Sequence, residues 1–510
     1  MNNSKRILIV GGGTAGWMTA NILAYSFQNH NFEITVVESE DIPIIGVGEG
    51  STPALKIFFD CLGISEQEWM PACNATFKCG ITFKNWSTKP GFTEYFHPFA
   101  SHIDGQTLPT FFKHVQARLS GLDVEAHPNQ FFLAAKLAEE NLTPIPNHNF
   151  PFEPTYGYHF DAVLLGQFLR KKAAEKGIKK VVGTVEQVSQ HTNGDIKSLT
   201  TKDQITLTAD LFIDCTGFSS LLSQKTLKTP YISYAPHLFN DAAVAIPSDL
   251  EGVLPSQTYS IALRHGWAWK IPLRNRFGNG YVYSSAHCSA DEAETELRER
   301  LGMLNADVEA RHLKMNIGRV EKSWNQNVLA VGLSQGFIEP LEATALLLIQ
   351  QTVSLFAHYY TEGKFTNAQQ GVFNQKINHQ FDHTRDYILT HYQTNSREDT
   401  EYWLDNRNNP EPISDSLTNL YLCWNSGQNL EEEIRRQQIE GFYPVSSWYC
   451  IFTGMGILPP LRSPNPIQSQ SKEYDIDKIR DFIHRCSLNF IDHKQYLESQ
   501  FAPNKKYQVG

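Results

Sequence analysis

Apolar and polar positions at the start of the chain mark out a strand, a loop, a helix and a second strand. Residues 6–10, RILIV, form a continuous apolar run of the kind a buried parallel strand shows. GGGTAG follows, then a helix-compatible stretch from Trp17 to Phe27, then FEITVVE, a strand ending in Glu38. ATFKCGITF, residues 75–83, alternates strictly, which predicts one strand with Phe77, Cys79, Ile81 and Phe83 on one face and Lys78, Gly80 and Thr82 on the other. In GWAWKIPL, residues 266–273, side chains two apart share a face of an extended segment, so Trp267 and Trp269 stand side by side as a wall of indole. Residues 161–177 read as a helix with a capping Asp161 and a terminal Gly177. Asn193-Gly194 then signals a hairpin between two short strands, and residues 205–218 give an alternating strand followed by the apolar strand Leu211 to Ile213, ending at Asp214. ATALLLIQQTVSLF, from Ala343, reads as a buried helix with Glu339 and Glu342 at its start, where acids favour the helix dipole. The pattern predicts an α/β fold with mixed sheets over residues 1–350 and a mainly helical region over 351–510.

Composition narrows the class of partner. The 510 residues are 41% hydrophobic and 19% charged, ordinary for a globular protein. A formal charge of -10 with no Lys/Arg-rich run argues against nucleic acid or anionic membrane, and in favour of a small-molecule substrate. No apolar stretch reaches the ~18 residues that span a bilayer, and MNNSKR runs into the first strand without a secretory apolar region, so a cytoplasmic protein is expected. The eight cysteines are scattered, with no CxxC and no zinc spacing, which predicts buried thiols and no metal site. Homo-oligomerisation stays open.

The glycines carry the first chemistry. Gly11-x-Gly13-x-x-Gly16 lies between strand and helix, with Glu38 closing the next strand. Gly11 serves a tight turn, Gly13 the approach of a pyrophosphate, and Gly16 the packing of helix on strand. Thr14 and Ala15 open the helix whose free N–H groups receive phosphate, and Glu38 is placed to accept from a ribose hydroxyl. The fingerprint alone leaves NAD and FAD open. Helix, three-stranded meander and a strand returning to Asp214 is an order familiar in FAD-binding monooxygenase-like proteins, and no second GxGxxG occurs, so one dinucleotide is expected, FAD.

Four motifs in order then resemble the flavin-dependent halogenases, the family best known for tryptophan halogenases. They are GVGEGSTP (46–53), FKCGITFKNW (77–86), the WxWxIP of Trp267, Trp269, Ile271 and Pro272, and GFIEPLEAT (336–344). The resemblance runs from the first strand to at least Gln350. It implies a Rossmann-like, flavin monooxygenase-type core that uses reduced FAD, O2 and halide to make hypohalous acid. Gly46, Gly48 and Glu49 would belong to a flavin strap, and Asp214 and Gly332 to the flavin site. The tryptophan pair, with Ile271 and Pro272, would wall flavin from substrate and leave a tunnel. Lys78 would receive the oxidant and orient it, and Glu342 would stabilise the cationic ring intermediate and take its proton. His97, Pro98 and Phe99 match a family element lining the substrate side, with Trp448 aligned loosely. Halide is expected on the backbone N–H groups of Thr344 and Ala345, where this chain reads E-A-T-A and the family's tryptophan enzymes commonly read E-S-T-G. The C-terminal third, where those enzymes build an amino-acid clamp, matches poorly. An electron-rich indole, phenol or other heteroaromatic is therefore expected in place of free tryptophan, with reduced flavin supplied by a separate reductase.

Two other classes fit part of the pattern. An aromatic hydroxylase would carry a Gly-Asp pair near the ribityl chain, where this chain has VGLSQGF with Ser334. A non-catalytic FAD-binding redox protein would leave Lys78 and Glu342 idle. Read without the family, Lys78 is a solvated lysine on the polar face of a strand and Glu342 a helix-capping acid.

Overall fold

The computed structural model describes residues 4–41, 48–462 and 474–501. The chain divides into two compact units, each built from three separated stretches. The first comprises Met1–Asn74, Phe160–Pro236 and Lys314–Arg385, the second Ala75–His159, His237–Leu313 and Asp386–Gly510. The division expected at residue 350 is thus replaced by an interleaved one. The physical reason is strand pairing: Gly80–Lys84 pairs in parallel with Thr258–Leu263, which pairs with the tryptophan strand Gly266–Pro272, so stretches far apart in sequence share a sheet of the second unit.

In the first unit, six strands lie in the order Trp324–Asn325, Val328–Ala330, Leu211–Asp214, Lys5–Val10, Phe32–Glu38 and Lys179–Val182. All neighbours pair in parallel except the antiparallel edge strand Trp324–Asn325. Ile7, Leu8, Ile9 and Val10 are all buried, as a strand covered on both faces requires. Helix Thr14–Ser26 begins directly after the glycine turn and packs on helices Ala162–Glu175 and Ala345–Glu362. Asp161 caps helix Ala162–Glu175 by accepting from the N–H groups of Val163 and Leu164. The expected meander is a separate antiparallel sheet of Val185–Gln190, Ile196–Thr201 and Thr206–Leu207, with Gly194 at φ +94° in its turn.

The second unit is organised by a seven-stranded sheet, ordered Arg311–Lys314, Ala242–Ser248, Phe277–Tyr283, Gly266–Pro272, Thr258–Leu263, Gly80–Lys84 and Glu94–Pro98. Ala242, Val244, Ile246, Ile261, Ala268 and Tyr281 form a core with Ala293 and Leu297 of helix Ala290–Leu301. Ala268 points to that helix, so its alternating neighbours Trp267 and Trp269 occupy the opposite face of the sheet. Residues 351–510 are mainly helical where described. Among the described residues no helix is long and apolar enough to cross a membrane, no three His, Cys, Asp or Glu side chains are grouped to hold a metal ion, and no disulfide links the eight cysteines.

Candidate active site

At Gly11 and Gly16 the glycine turn of the first unit has no room for a side chain. Gly11 has φ +113°, and a Cβ there would strike the Cys215 carbonyl of the neighbouring strand. A Cβ on Gly16 would strike the Gly11 carbonyl, whereas a Cβ on Gly13 would meet nothing within 4 Å. Gly13 is also the N-cap of helix Thr14–Ser26 and brings no capping side chain to the first N–H groups of the helix. This cradle fits a dinucleotide pyrophosphate. Thr14 Oγ1 donates to the Ala162 carbonyl at 3.1 Å, and Gly332, at φ +66°, brings its missing Cβ to 2.9 Å from the Ala15 methyl. Gly46 lies outside the described residues, and Gly48 begins the short strand Gly48–Gly50.

Glu38 is more occupied than the sequence suggests. Its carboxylate accepts from Trp17 Nε1 at 3.1 Å and pairs with Arg170 at 3.3 Å and Lys180 at 2.6 Å. A ribose hydroxyl would use lone pairs that these donors leave over. Nothing in the local pattern announces Arg170 and Lys180, which arrive from a helix and a strand more than 130 residues on. Asp214 is buried, and its two oxygens accept from the N–H groups of Thr216, Leu222 and Ser223 and from the Thr216 hydroxyl, at 2.7 to 3.1 Å. It therefore shapes its own loop, and its reach to a flavin is through that loop. Burial and the charge of Asp161 push the Glu49 carboxyl up to about 7.

Glu342 and Glu339 do not sit in the first turn of a helix. Pro340–Glu342 forms a separate 3-10 turn, Ala343 turns the chain at φ +56°, and the helix starts at Ala345 with no acid in its first turn. Both glutamates are buried, and neither makes a side-chain capping bond or lies in the first turn of the α-helix. Thr344, the N-cap residue, makes no side-chain capping bond, and its buried hydroxyl has no hydrogen-bond partner among the described residues. The backbone N–H groups at Thr344 and Ala345 thus stand at an uncapped helix N-terminus, a setting that fits a small anion.

In the second unit the predicted single strand around Lys78 is two. Thr76–Lys78 pairs with strand Gly157–Asp161, and Gly80–Lys84 joins the seven-stranded sheet, with the change of partner at Cys79. Lys78 has no solvent exposure, which overturns the solvated-lysine reading. Its cross-strand partner is Gly157, which has no side chain to crowd the ammonium. Phe99 lies with its ring centroid 5.3 Å from Nζ, a cation–π distance. Gly80 is required where the chain recrosses, since a Cβ there would strike the His97 carbonyl. Pro98 is opposite Gly80 in the register, and His97 Nε2 lies 3.2 Å from the Tyr387 hydroxyl. Tyr387 stacks on Tyr443 at 3.5 Å and meets Trp448 edge-on at 5.0 Å.

Trp267 and Trp269 do stand side by side, 6.2 Å apart at an interplanar angle of 58°. They are 2% and 7% exposed, and Ile271 continues the same face. The indole of Trp269 lies over Gly280 on the adjacent strand, where a Cβ would run into the ring. Trp269 Nε1 has no hydrogen-bond partner among the described residues, a condition it shares with the buried Trp324 and Trp448.

The tryptophan halogenase family model matches residues 6–470, nearly the whole chain. The chain belongs to the flavin-dependent halogenase family. The halogenase is 35% identical to the 7-chloro-L-tryptophan 6-halogenase KtzR of Kutzneria sp. (strain 744) over 517 residues, 96% of this chain and 98% of that one. Its structure is similar to that of Tar14, a tryptophan C-6 flavin-dependent halogenase from taromycin biosynthesis, with TM-score 0.85, 32% identity and 98% and 100% of the two chains covered. BrvH, a flavin-dependent halogenase from Brevundimonas sp. BAL3, superimposes with TM-score 0.84 at 31% identity over 98% and 99%. The α/β fold with its helical C-terminal region, the enzymatic class and the dependence on FAD and halide follow from this membership.

Proposed function

We propose that this halogenase passes hypohalous acid beyond the Trp267 and Trp269 wall to Lys78, and that Lys78 directs the halogen onto an electron-rich indole, phenol or other heteroaromatic. The observation that carries the reading is Lys78 itself. A lysine with no solvent exposure, opposite a glycine and under a phenyl ring, costs far more than a surface one and is kept where its ammonium has work to do. When bound in reduced form, FAD supplies the two electrons with which oxygen and halide become hypohalous acid and water. Gly11, Gly13, Thr14, Ala15, Gly16 and Glu38 would hold that cofactor, with Gly48, Glu49 and Gly332 beside it. Thr344 and Ala345 would hold the halide on their N–H groups. Trp267, Trp269, Ile271 and Pro272 keep substrate and flavin apart.

Lys78 donates a hydrogen bond to the oxidant's oxygen, orients the halogen and eases the departure of hydroxide. Glu342 receives the proton that the ring carbon loses. His97, Pro98, Phe99 and Trp448 line the substrate side. Their surroundings are aromatic: Tyr387, Tyr443 and Trp448 interlock there, and Trp448 Nε1 has no hydrogen-bond partner among the described residues. Such a lining favours an aromatic body over a zwitterionic amino acid. A separate cytoplasmic reductase would supply the reduced flavin, since the sequence carries one dinucleotide fingerprint.

The test supplies reduced FAD, oxygen and chloride or bromide with a panel of indoles, phenols and free tryptophan, and reads product masses. Halogen mass shifts on the indoles or phenols, with bromide at least as productive as chloride, are expected. Halogenation of free tryptophan in preference to the panel would overturn the substrate reading, and oxygen insertion without halogen would overturn the reaction.

A further inference from the structure

The Lys78 strand is held by side chains that no motif includes. Thr76 and Lys78 are two apart and share a face, and His159 is the direct cross-strand partner of Thr76 on that face. Thr76 Oγ1 lies 2.7 Å from the Pro272 carbonyl and 3.1 Å from His159 Nδ1. A carbonyl only accepts, so the hydroxyl donates to Pro272 and accepts from Nδ1–H. His159 Nε2 is then an acceptor, and Thr258 Oγ1 donates to it at 2.8 Å. The chain Thr258, His159, Thr76, Pro272 thus fixes one neutral tautomer and joins the lysine strand to the residue that ends the tryptophan strand.

A second histidine holds the same segment by its backbone. His493 Nε2 accepts from the N–H of Phe77, the residue next to Lys78, at 3.2 Å. Its Nδ1–H donates to the Leu254 carbonyl at 3.2 Å. Both histidines have no solvent exposure. Burial and the charge of Lys78 hold the His159 imidazole well below its ordinary value, and burial lowers that of His493 to about 4. The two rings are therefore neutral beside Lys78 and leave the positive charge to it.

We propose that Thr76, His159 and His493 are positioning residues for the halogenation step: they fix the height and direction of Lys78 and tie it to Pro272 of the tryptophan strand. Oxidant formation does not need this network, whereas capture of the oxidant at Lys78 does, because a misplaced donor loses most of its effect. The proposal rests on the role given to Lys78 above.

The test compares the enzyme with Thr76→Val, Thr76→Ser and Lys78→Ala, all supplied with reduced FAD, oxygen, bromide and a substrate from the panel. It measures halogenated product per oxygen consumed, hypobromous acid trapped in solution, and melting temperature. Thr76→Val keeps the side-chain shape and removes the hydroxyl. It should lower product per oxygen about tenfold and raise the trapped oxidant, with oxygen consumption unchanged. Thr76→Ser should restore coupling, and Thr76→Val added to Lys78→Ala should change nothing further. Full coupling in Thr76→Val beside an inactive Lys78→Ala would sink the positioning role alone. Full coupling in Lys78→Ala would sink the lysine reading itself. Loss of folded protein in Thr76→Val would also overturn the proposal, by assigning the network to folding.

Discussion

Glu49 is a carboxyl whose protonation changes near neutrality. Burial and Asp161 raise it to about 7, so in the folded protein its ionised form is disfavoured. The sign follows from proton counting: between the ordinary value of 4.5 and about 7 the folded state binds more protons than the unfolded one, so this group's contribution to stability declines as pH rises through that window. Glu49→Gln removes the titration. It is expected to flatten the pH dependence of thermal stability between pH 5 and 8 and to stabilise most above pH 7, which melting curves across that range check. A second residue-scale outcome concerns Glu342. If Glu342 accepts the ring proton as proposed, Glu342→Gln should slow turnover by on the order of 10²-fold with FAD binding retained, since general-base assistance is typically of that size or larger. Near-normal rates would return Glu342 to a structural role.

Among the elements, strand Gly266–Pro272 separates a packing role from a dividing one. Trp269→Phe loses ring volume and forfeits no hydrogen bond to a described residue, so a cost of about 1–3 kcal/mol is expected from the cavity alone. If the pair divides two chambers, product per oxygen consumed should fall as well, and trapped hypohalous acid should rise. Gly280→Ala probes the same contact from the neighbouring strand. Its methyl meets the Trp269 indole, and overpacking should cost about 1–3 kcal/mol, read as a lower denaturation midpoint. These strands also show what a sequence can carry. The nucleotide cradle was legible because strand, glycines, helix and acid follow one another within 34 residues, from Lys5 to Glu38. The tryptophan pair was legible because period two is local. The break at Cys79 was not, because it is imposed by strands Gly157–Asp161 and Thr258–Leu263, both far along the chain. Nor did any pattern place Glu342 outside the helix, since the positive φ of Ala343 is a tertiary outcome at a residue that rarely adopts it.

For the molecule as a whole, the buried neutral histidines predict the acid limb of stability. An imidazole whose folded value is depressed is protonated more readily in the unfolded chain, so stability is full above about 6.5 and falls as pH drops toward 4. His493 alone corresponds to a loss on the order of 2–3 kcal/mol over that range, and His159 adds in the same direction. Glu49 and Asp104, both raised by burial, act with the opposite sign in this window, so the fall is read as the difference in denaturation midpoint between the enzyme and His493→Gln from pH 7 to pH 4. A difference that does not change with pH would mean that His493 is not shielded as the structure indicates. The interleaving of the two units has the same origin as these histidines. His493 comes from near the C-terminus and His159 from the middle of the chain, yet both hold the strand at Thr76–Lys78, and a division by sequence order hides that.

The account turns on Lys78 capturing an oxidant made elsewhere in the protein. The direct measurement is the balance of oxygen consumed, hypohalous acid trapped and aromatic product formed by Lys78→Ala with reduced FAD and bromide. The account predicts oxygen consumption and trapped hypohalous acid at or above the level of the unaltered enzyme, with product reduced to background. Normal yields of halogenated product, or an enzyme that no longer makes hypohalous acid at all, would contradict it.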